Sequence, residues 1–181
     1  MHFAVPVRVA AFNLDQGVED PGSAEYEATR AILQRVNADI VGVVEATGTT
    51  PDNFRTLATS LGYANTYYSP QGPMDTTVRT AVMSRWPLTY TNAVQSPVGA
   101  KEMTLANRIV VVDVPGTTQD PAQVVVHYKC CANYAADSFR RAIEIRRTGE
   151  ALQNLGKGGS RNLFVIGDFN LVNSSSLSFD R

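Results

Sequence analysis

Four apolar stretches of this chain end in polar residues that could act on a phosphate ester. "VRVAAFN" (Val7–Asn13) exits at Asn13, and "ADIVGVVEA" (Ala38–Ala46) carries Glu45. "VVVHYK" carries His127 and Lys129, and "NLFVIGDFN" (Asn162–Asn170) delivers Asp168 and Asn170. A single polar residue at the end of an apolar run is usually a turn or cap residue. Here the set is chemically coherent. Glu45 is a hard oxygen ligand of the kind Mg²⁺ takes. Asn13 and Asn170 can bind phosphate or metal without adding negative charge. His127 can donate a hydrogen bond to phosphate, and Asp168 can orient a water or a histidine. Asp168 and Asn170 stand two apart, so a strand continuing through them would present both on one side.

The elements that must position these residues alternate in type. "SAEYEATRAILQRV" (Ser23–Val36) predicts a helix capped by Ser23, with Tyr26, Ala31, Ile32 and Val36 as its apolar stripe. "PDNFRTLATSLG" (Pro51–Gly62) predicts a second helix closed by glycine. Strand-like runs follow from Tyr63, Arg79, Pro87, Arg108 and Ala122, joined by Pro, Gly, Asp and Asn as turns require. A long helix, Asp137–Leu155, is capped by Asp137 or Ser138 and ended by "GKGGS" (Gly156–Ser160). That glycine cluster lacks the spacing of a phosphate-binding loop. The pattern is α/β (α+β): two sheets packed face to face with helices outside.

Composition sets the bounds. A chain of 181 residues with 44% hydrophobic and 18% charged residues can bury a sizeable core. A net charge of −1 predicts no general attraction to polyanions, so any nucleic-acid contact needs a local basic patch. No apolar run reaches membrane-spanning length. The start "MHFAVPVRVAAFNLD" lacks a basic leader and apolar core, so it is not a secretory signal as it stands. The compartment stays open between the cytoplasm and secretion after removal of a leader. Cys130 and Cys131, the only cysteines, are adjacent; they form neither a disulfide framework nor a spaced zinc pair.

Taken in order, "AFN", "DIVGVVEA", "VVVHYK" and "FVIGDFN" resemble the endonuclease/exonuclease/phosphatase superfamily, the deoxyribonuclease I-like fold. "RTAVMSRWPL" (Arg79–Leu88) is similar to the family's strand before a Ser-basic-x-Pro turn. "HYK" before an arginine-rich helix resembles a His-x-Lys-Ser pattern, with Cys130 at the serine position. The resemblance covers essentially the whole chain, residues 1–181, as a single domain. It implies a Mg²⁺-dependent phosphodiester hydrolase, with Mn²⁺ or Ca²⁺ as alternative ions. A nuclease acting on nucleic acid leads, ahead of a phosphatase or phospholipid phosphodiesterase of the same fold. On this resemblance Glu45 is the principal metal ligand with Asn13 beside it. His127 binds or protonates the scissile phosphate, Asp168 aligns the attacking water and Asn170 holds the phosphate.

The chain departs from the family pattern at its end. Members carry a further Asp near a strand end and finish with an Asp-His pair. This chain has only His2 and His127, and Asp180 is followed by no histidine. The expectation is therefore a C-terminally truncated domain with an incomplete second sheet, an exposed edge and little activity. The competing reading is a binding module that has lost catalysis. Among the arginines of the long helix, Arg140, Arg141 and Arg147 read as a solvated face. Arg146 falls nearer the buried stripe, where it could reach a carboxylate or a substrate phosphate; Lys129, after the His127 strand, is the other candidate for substrate phosphate. Arg79 and Arg108 could contact phosphate, although no spacing selects them. Tyr67, Tyr68 and Trp86 could stack on a base, although packing is the commoner role of such rings.

Overall fold

The computed structural model describes residues 6–15, 17–47, 51–70, 77–97, 102–130, 135–157 and 162–171. Its strands are β1 (Val9–Asn13), β2 (Ile40–Thr47), β3 (Asn65–Tyr68), β4 (Val78–Ser84), β5 (Leu88–Val94), β6 (Asn107–Val112), β7 (Pro121–His127) and β8 (Asn162–Asp168). Its helices are α1 (Ala24–Val36), α2 (Pro51–Ser60) and α3 (Ala135–Lys157).

Among the described residues the strands form two four-stranded sheets, ordered β1-β2-β4-β3 and β5-β6-β7-β8. β1 runs parallel to β2, and β7 parallel to β8; the other pairings are antiparallel. Each parallel pair is joined through a helix, α1 or α3, because only a crossover can return the chain to the same end of a sheet. That topology puts the exits of β1 and β2 together, and likewise those of β7 and β8. This is the two-sheet sandwich with flanking helices that the apolar runs predict.

The helices form where their local signals lie. Ser23 Oγ accepts a hydrogen bond from the Tyr26 N–H at 3.1 Å and caps α1. Asn37 closes it in the left-handed conformation, at φ 48°. The buried residues are Tyr26 and Leu33, seven apart and therefore on one face. Ile32 and Val36, expected in the stripe, are 50% and 41% exposed, because the face that meets the sheet is centred on Tyr26. α3 begins at Ala135, so Asp137 lies in its first turn rather than at its cap, and it runs on to Lys157. Residues 158–160 of the glycine cluster lie outside the described residues.

The sandwich core joins Ile40, Val44 and Val82 of the first sheet to Val110, Val112 and Val125 of the second, with Ile166 packed against them. α1 and α2 cover the other face of the first sheet with Leu33, Phe54 and Leu57. α3 covers the second, its Leu152 and Leu155 packing on Val124 and Val126. The sheets approach closely at Gly42. A Cβ there would meet Ile166 Cδ1 at 2.5 Å and Val125 Cγ2 at 2.9 Å. Gly42→Ala is thus an overpacking change at the sheet interface, expected to cost about 1–3 kcal/mol. Urea unfolding should show the loss; undiminished stability would mean that the sheets have room to part there.

Candidate active site

β1 ends at Asn13, whose register partner on β2 is Val44. The pairing of β2 with β4 then slips between Val43 and Ala46, and Glu45 occupies the slip with φ 58°. A non-glycine residue in this left-handed region costs roughly 1–2 kcal/mol. The strain has a structural result: the bulge re-aims the side chain, as bulges beside functional sites do. Glu45 Oε1 accepts a hydrogen bond from Asn13 Nδ2 at 2.9 Å. Asn13 is itself fixed, its Oδ1 accepting the Asp15 N–H at 2.8 Å.

The second sheet delivers His127 to the same place. Its Nε2 lies 3.7 Å from Glu45 Oε1, so the contact closes across the sandwich. The imidazole is largely buried, and its Nδ1 has no hydrogen-bond partner among the described residues. Asp168 is the register partner of His127 on β8. Just before it, Gly167 has φ 130°, and a Cβ there would sit 2.0 Å from the Val126 carbonyl oxygen. Only glycine lets β8 approach β7 so closely at the residue that precedes Asp168.

The expectation that Asp168 and Asn170 share a strand face is corrected. β8 stops at Asp168, and Asn170 turns into the left-handed region at φ 49°. Asp168 Oδ1 accepts the Asn170 N–H at 2.8 Å, and Asn170 Nδ2 donates to the Tyr128 carbonyl at 2.8 Å. A side-chain-to-backbone turn, not strand alternation, keeps Asn170 beside the exit of β7. The structure thus brings Asn13, Glu45, His127, Asp168 and Asn170 to one end of the sandwich.

It does not bring Arg146 there. Arg146 is 81% exposed and bonds Glu150 one turn along its own helix, at 3.1 Å. The arginine that α3 turns inward is Arg141, 9% exposed, which donates from Nε to the Lys129 carbonyl at 3.0 Å. The solvated reading of Arg141 is therefore wrong, and the reason is the rotation of α3 on its sheet. Lys129 Nζ faces Asp137 at 3.8 Å and the sulfur of Cys130 at 3.7 Å. Cys130 is half-buried, and Cys131 lies outside the described residues.

Two supporting residues went unread in the sequence. Asn107 Oδ1 accepts the His127 N–H at 3.3 Å. Glu144, 1% exposed, accepts the N–H of Lys129 at 2.7 Å and that of Thr104 at 2.8 Å. The signal was present: Arg141, Glu144 and Thr148 are spaced three and four apart, a polar stripe on the helix face that meets the sheet.

The Endonuclease/Exonuclease/phosphatase family model matches residues 10–181, and the chain belongs to that family. Among similar solved structures is the human Nocturnin catalytic domain with bound sulfate, 19% identical, TM-score 0.68, covering 93% of this chain and 66% of that one. Another is D. rerio TDP2 complexed with a single-strand DNA product, 18% identical, TM-score 0.64, covering 93% and 62%. A third is sphingomyelinase C from Streptomyces griseocarneus, 18% identical, TM-score 0.65, covering 92% and 65%. The chain thus spans somewhat under two thirds of the length of each. No curated protein matches it by sequence. No described helix is long and apolar enough to cross a membrane.

Two stability measurements probe the supports. Glu45→Gly and Glu45→Gln both remove the charge, but only glycine relieves the left-handed backbone; the glycine variant should be the more stable by about 1 kcal/mol. Equal unfolding midpoints would refute the strain. Glu144→Gln replaces one of two buried acceptor oxygens by a donor, which should cost about 2 kcal/mol. Retention of parental stability in urea would show that the carboxylate does not anchor the loop after His127.

Proposed function

We propose that the protein is a metal-dependent phosphodiester hydrolase, with a nucleic acid as the favoured substrate. One observation carries the reading: a carboxylate, Glu45, is held by Asn13 and faces His127 at the shared open end of two sheets. Membership of the Endonuclease/Exonuclease/phosphatase family supports hydrolysis of a phosphate ester, and residues 1–181 are read as one such domain.

The donor set fits a divalent ion held largely by substrate and water. Among the described residues no three His, Cys, Asp or Glu side chains gather to hold one. Mg²⁺ does not need such a cage, since it commonly takes one or two carboxylates, with waters and substrate oxygens completing its shell. Glu45 fits that role. Asn13 turns its N–H to the carboxylate and its oxygen to Asp15, so in this arrangement it orients Glu45 rather than serving as a ligand. When bound, the ion would polarise a phosphoryl oxygen and offset charge on the leaving oxygen.

The remaining roles belong to the protein's own groups. A neutral imidazole carries one proton, and Nε2 is the nitrogen that faces the Glu45 carboxylate. A proton there makes His127 a donor to a phosphate lying beside Glu45. Asp168, next to His127 on β8, would orient the attacking water, with one oxygen committed to the turn that fixes Asn170. Asn170 keeps its second amide hydrogen for a phosphate oxygen while the first bonds Tyr128. The fold shared with a DNA-bound TDP2 supports nucleic acid, and that shared with a sphingomyelinase C supports a phospholipid as the second reading.

The test is hydrolysis of single-stranded DNA, RNA and sphingomyelin, with Mg²⁺ and with chelator. Turnover should require the metal. His127→Ala should lower kcat about 100- to 1000-fold, the usual effect of losing one donor to a developing oxyanion. Glu45→Gln should raise the Mg²⁺ concentration needed for half-maximal rate and depress the rate itself. Turnover that persists in chelator, or survives both substitutions, overturns the assignment.

A further inference from the structure

A cleft of about 640 Å³ opens between the edges of the two sheets, on the β3 and β5 side of the sandwich. Arg55, Arg79 and Arg108 line it together with Tyr67 and Tyr68, and no Asp or Glu is among its described lining residues. Arg55 is paired with Asp52 at 3.3 Å, so Arg79 and Arg108 are the cations that give the cleft its charge.

Arg108 is the informative residue. It is 3% exposed, and its Nε is buried without a hydrogen-bond partner. The Nε of Arg79 is in the same condition. Neither arginine forms an ion pair among the described residues. Burial lowers the pKa of the Arg108 guanidinium to about 10, so the group remains charged at neutral pH. Burying a cation without an anion is costly and needs compensation. Part comes from Tyr67, whose ring lies 3.7 Å under the guanidinium. With one face stacked, what an arginine has left to offer is its fork of N–H groups, which suits the oxygens of a phosphate.

The cleft adjoins the candidate catalytic end. Arg79 is the register partner of Ala46, the residue after Glu45. Arg108 follows Asn107, which holds the His127 N–H. Each arginine thus sits one strand over from a residue of the catalytic set, and strands are spaced about 4.8 Å apart.

We propose that this cleft is a second phosphate subsite, which holds a non-scissile phosphate of an oligonucleotide while Glu45 and His127 face the scissile one. The proposal rests on the hydrolase reading and adds a length requirement to it: a substrate with a single phosphate cannot fill both positions. Tyr67, 40% exposed, offers a surface on which an adjoining base can stack.

Direct binding tests it. The protein, in chelator, is titrated into fluorescein-labelled oligothymidylates of two and eight residues and followed by fluorescence anisotropy. The octamer should bind at least about tenfold more tightly, with an affinity that falls steeply with salt. Arg79→Gln and Arg108→Gln should each remove most of that gain and flatten the single-strand salt slope by about 0.7. Arg108→Lys, which keeps the charge and loses the fork, should fall between. If Arg108→Gln fails to fold, Arg79→Gln and Tyr67→Ala decide the matter.

Folded variants that bind the octamer as the parent does overturn the subsite. So does a loss of binding to phosphatidylserine vesicles with oligonucleotide binding intact, which would assign the cleft to lipid. Parental Mg²⁺-dependent hydrolysis of bis(p-nitrophenyl) phosphate reports on the catalytic centre separately. Hydrolysis without arginine-dependent octamer binding sinks the cleft and leaves the hydrolase. Arginine-dependent binding without hydrolysis supports the cleft and sinks the hydrolase.

Discussion

The spacing between the two sheets is the constraint on which the candidate site depends. Each sheet carries half of it: Asn13 and Glu45 on one, His127, Asp168 and Asn170 on the other. The 3.7 Å approach of His127 to Glu45 can exist only if the sheets are held at a fixed distance. Gly42 sets that distance by omitting a side chain where Ile166 and Val125 project. The valines and isoleucines around it are close-packed, and a close-packed interior does not slide to accommodate change. A steric fact in the apolar core therefore determines the geometry of a polar site at its rim.

At the rim itself the backbone takes up unusual conformations. Glu45, Asn170 and Asp15 all lie at positive φ near the strand exits, and Gly167 joins them. Such conformations persist where surrounding structure over-determines them. Here the parallel pairs provide that support, β1-β2 as far as Asn13 and Val44 and β7-β8 as far as His127 and Asp168. The result is a set of side chains aimed by the backbone rather than by rotamer choice alone.

Polar groups also brace the site from behind. α3 packs on the second sheet with apolar residues near its C-terminal end and with Arg141, Glu144 and Thr148 nearer the site. Arg141 binds the carbonyl of Lys129 and Glu144 its N–H, so one helix face satisfies both backbone groups of the residue two after His127. Buried polar groups paired in this way fix a loop more specifically than apolar packing would.

How much of this was legible in the sequence depends on range. Apolar runs, turn residues and the Ser23 cap are local features, and they located eight strands and three helices to within a few residues. The four strand exits, and the family they resemble, were likewise carried by contiguous motifs. Helix rotation was not: Arg141 is buried and Arg146 exposed because α3 docks with one particular face, which its neighbours on the sheet decide. The strand face of Asn170 was misjudged because its turn is made by a side-chain hydrogen bond that alternation cannot foresee. The slip that gives Glu45 its positive φ arises from pairing with β4, some thirty-five residues later in the chain. Arg79 and Arg108 are unremarkable in their own strands and meet in one cleft only because β4 and β6 face each other across the sandwich. Composition and periodicity determined which residues were available for chemistry. The register and packing of distant strands decided which of them meet, because those contacts depend on neighbours that no local window of sequence contains.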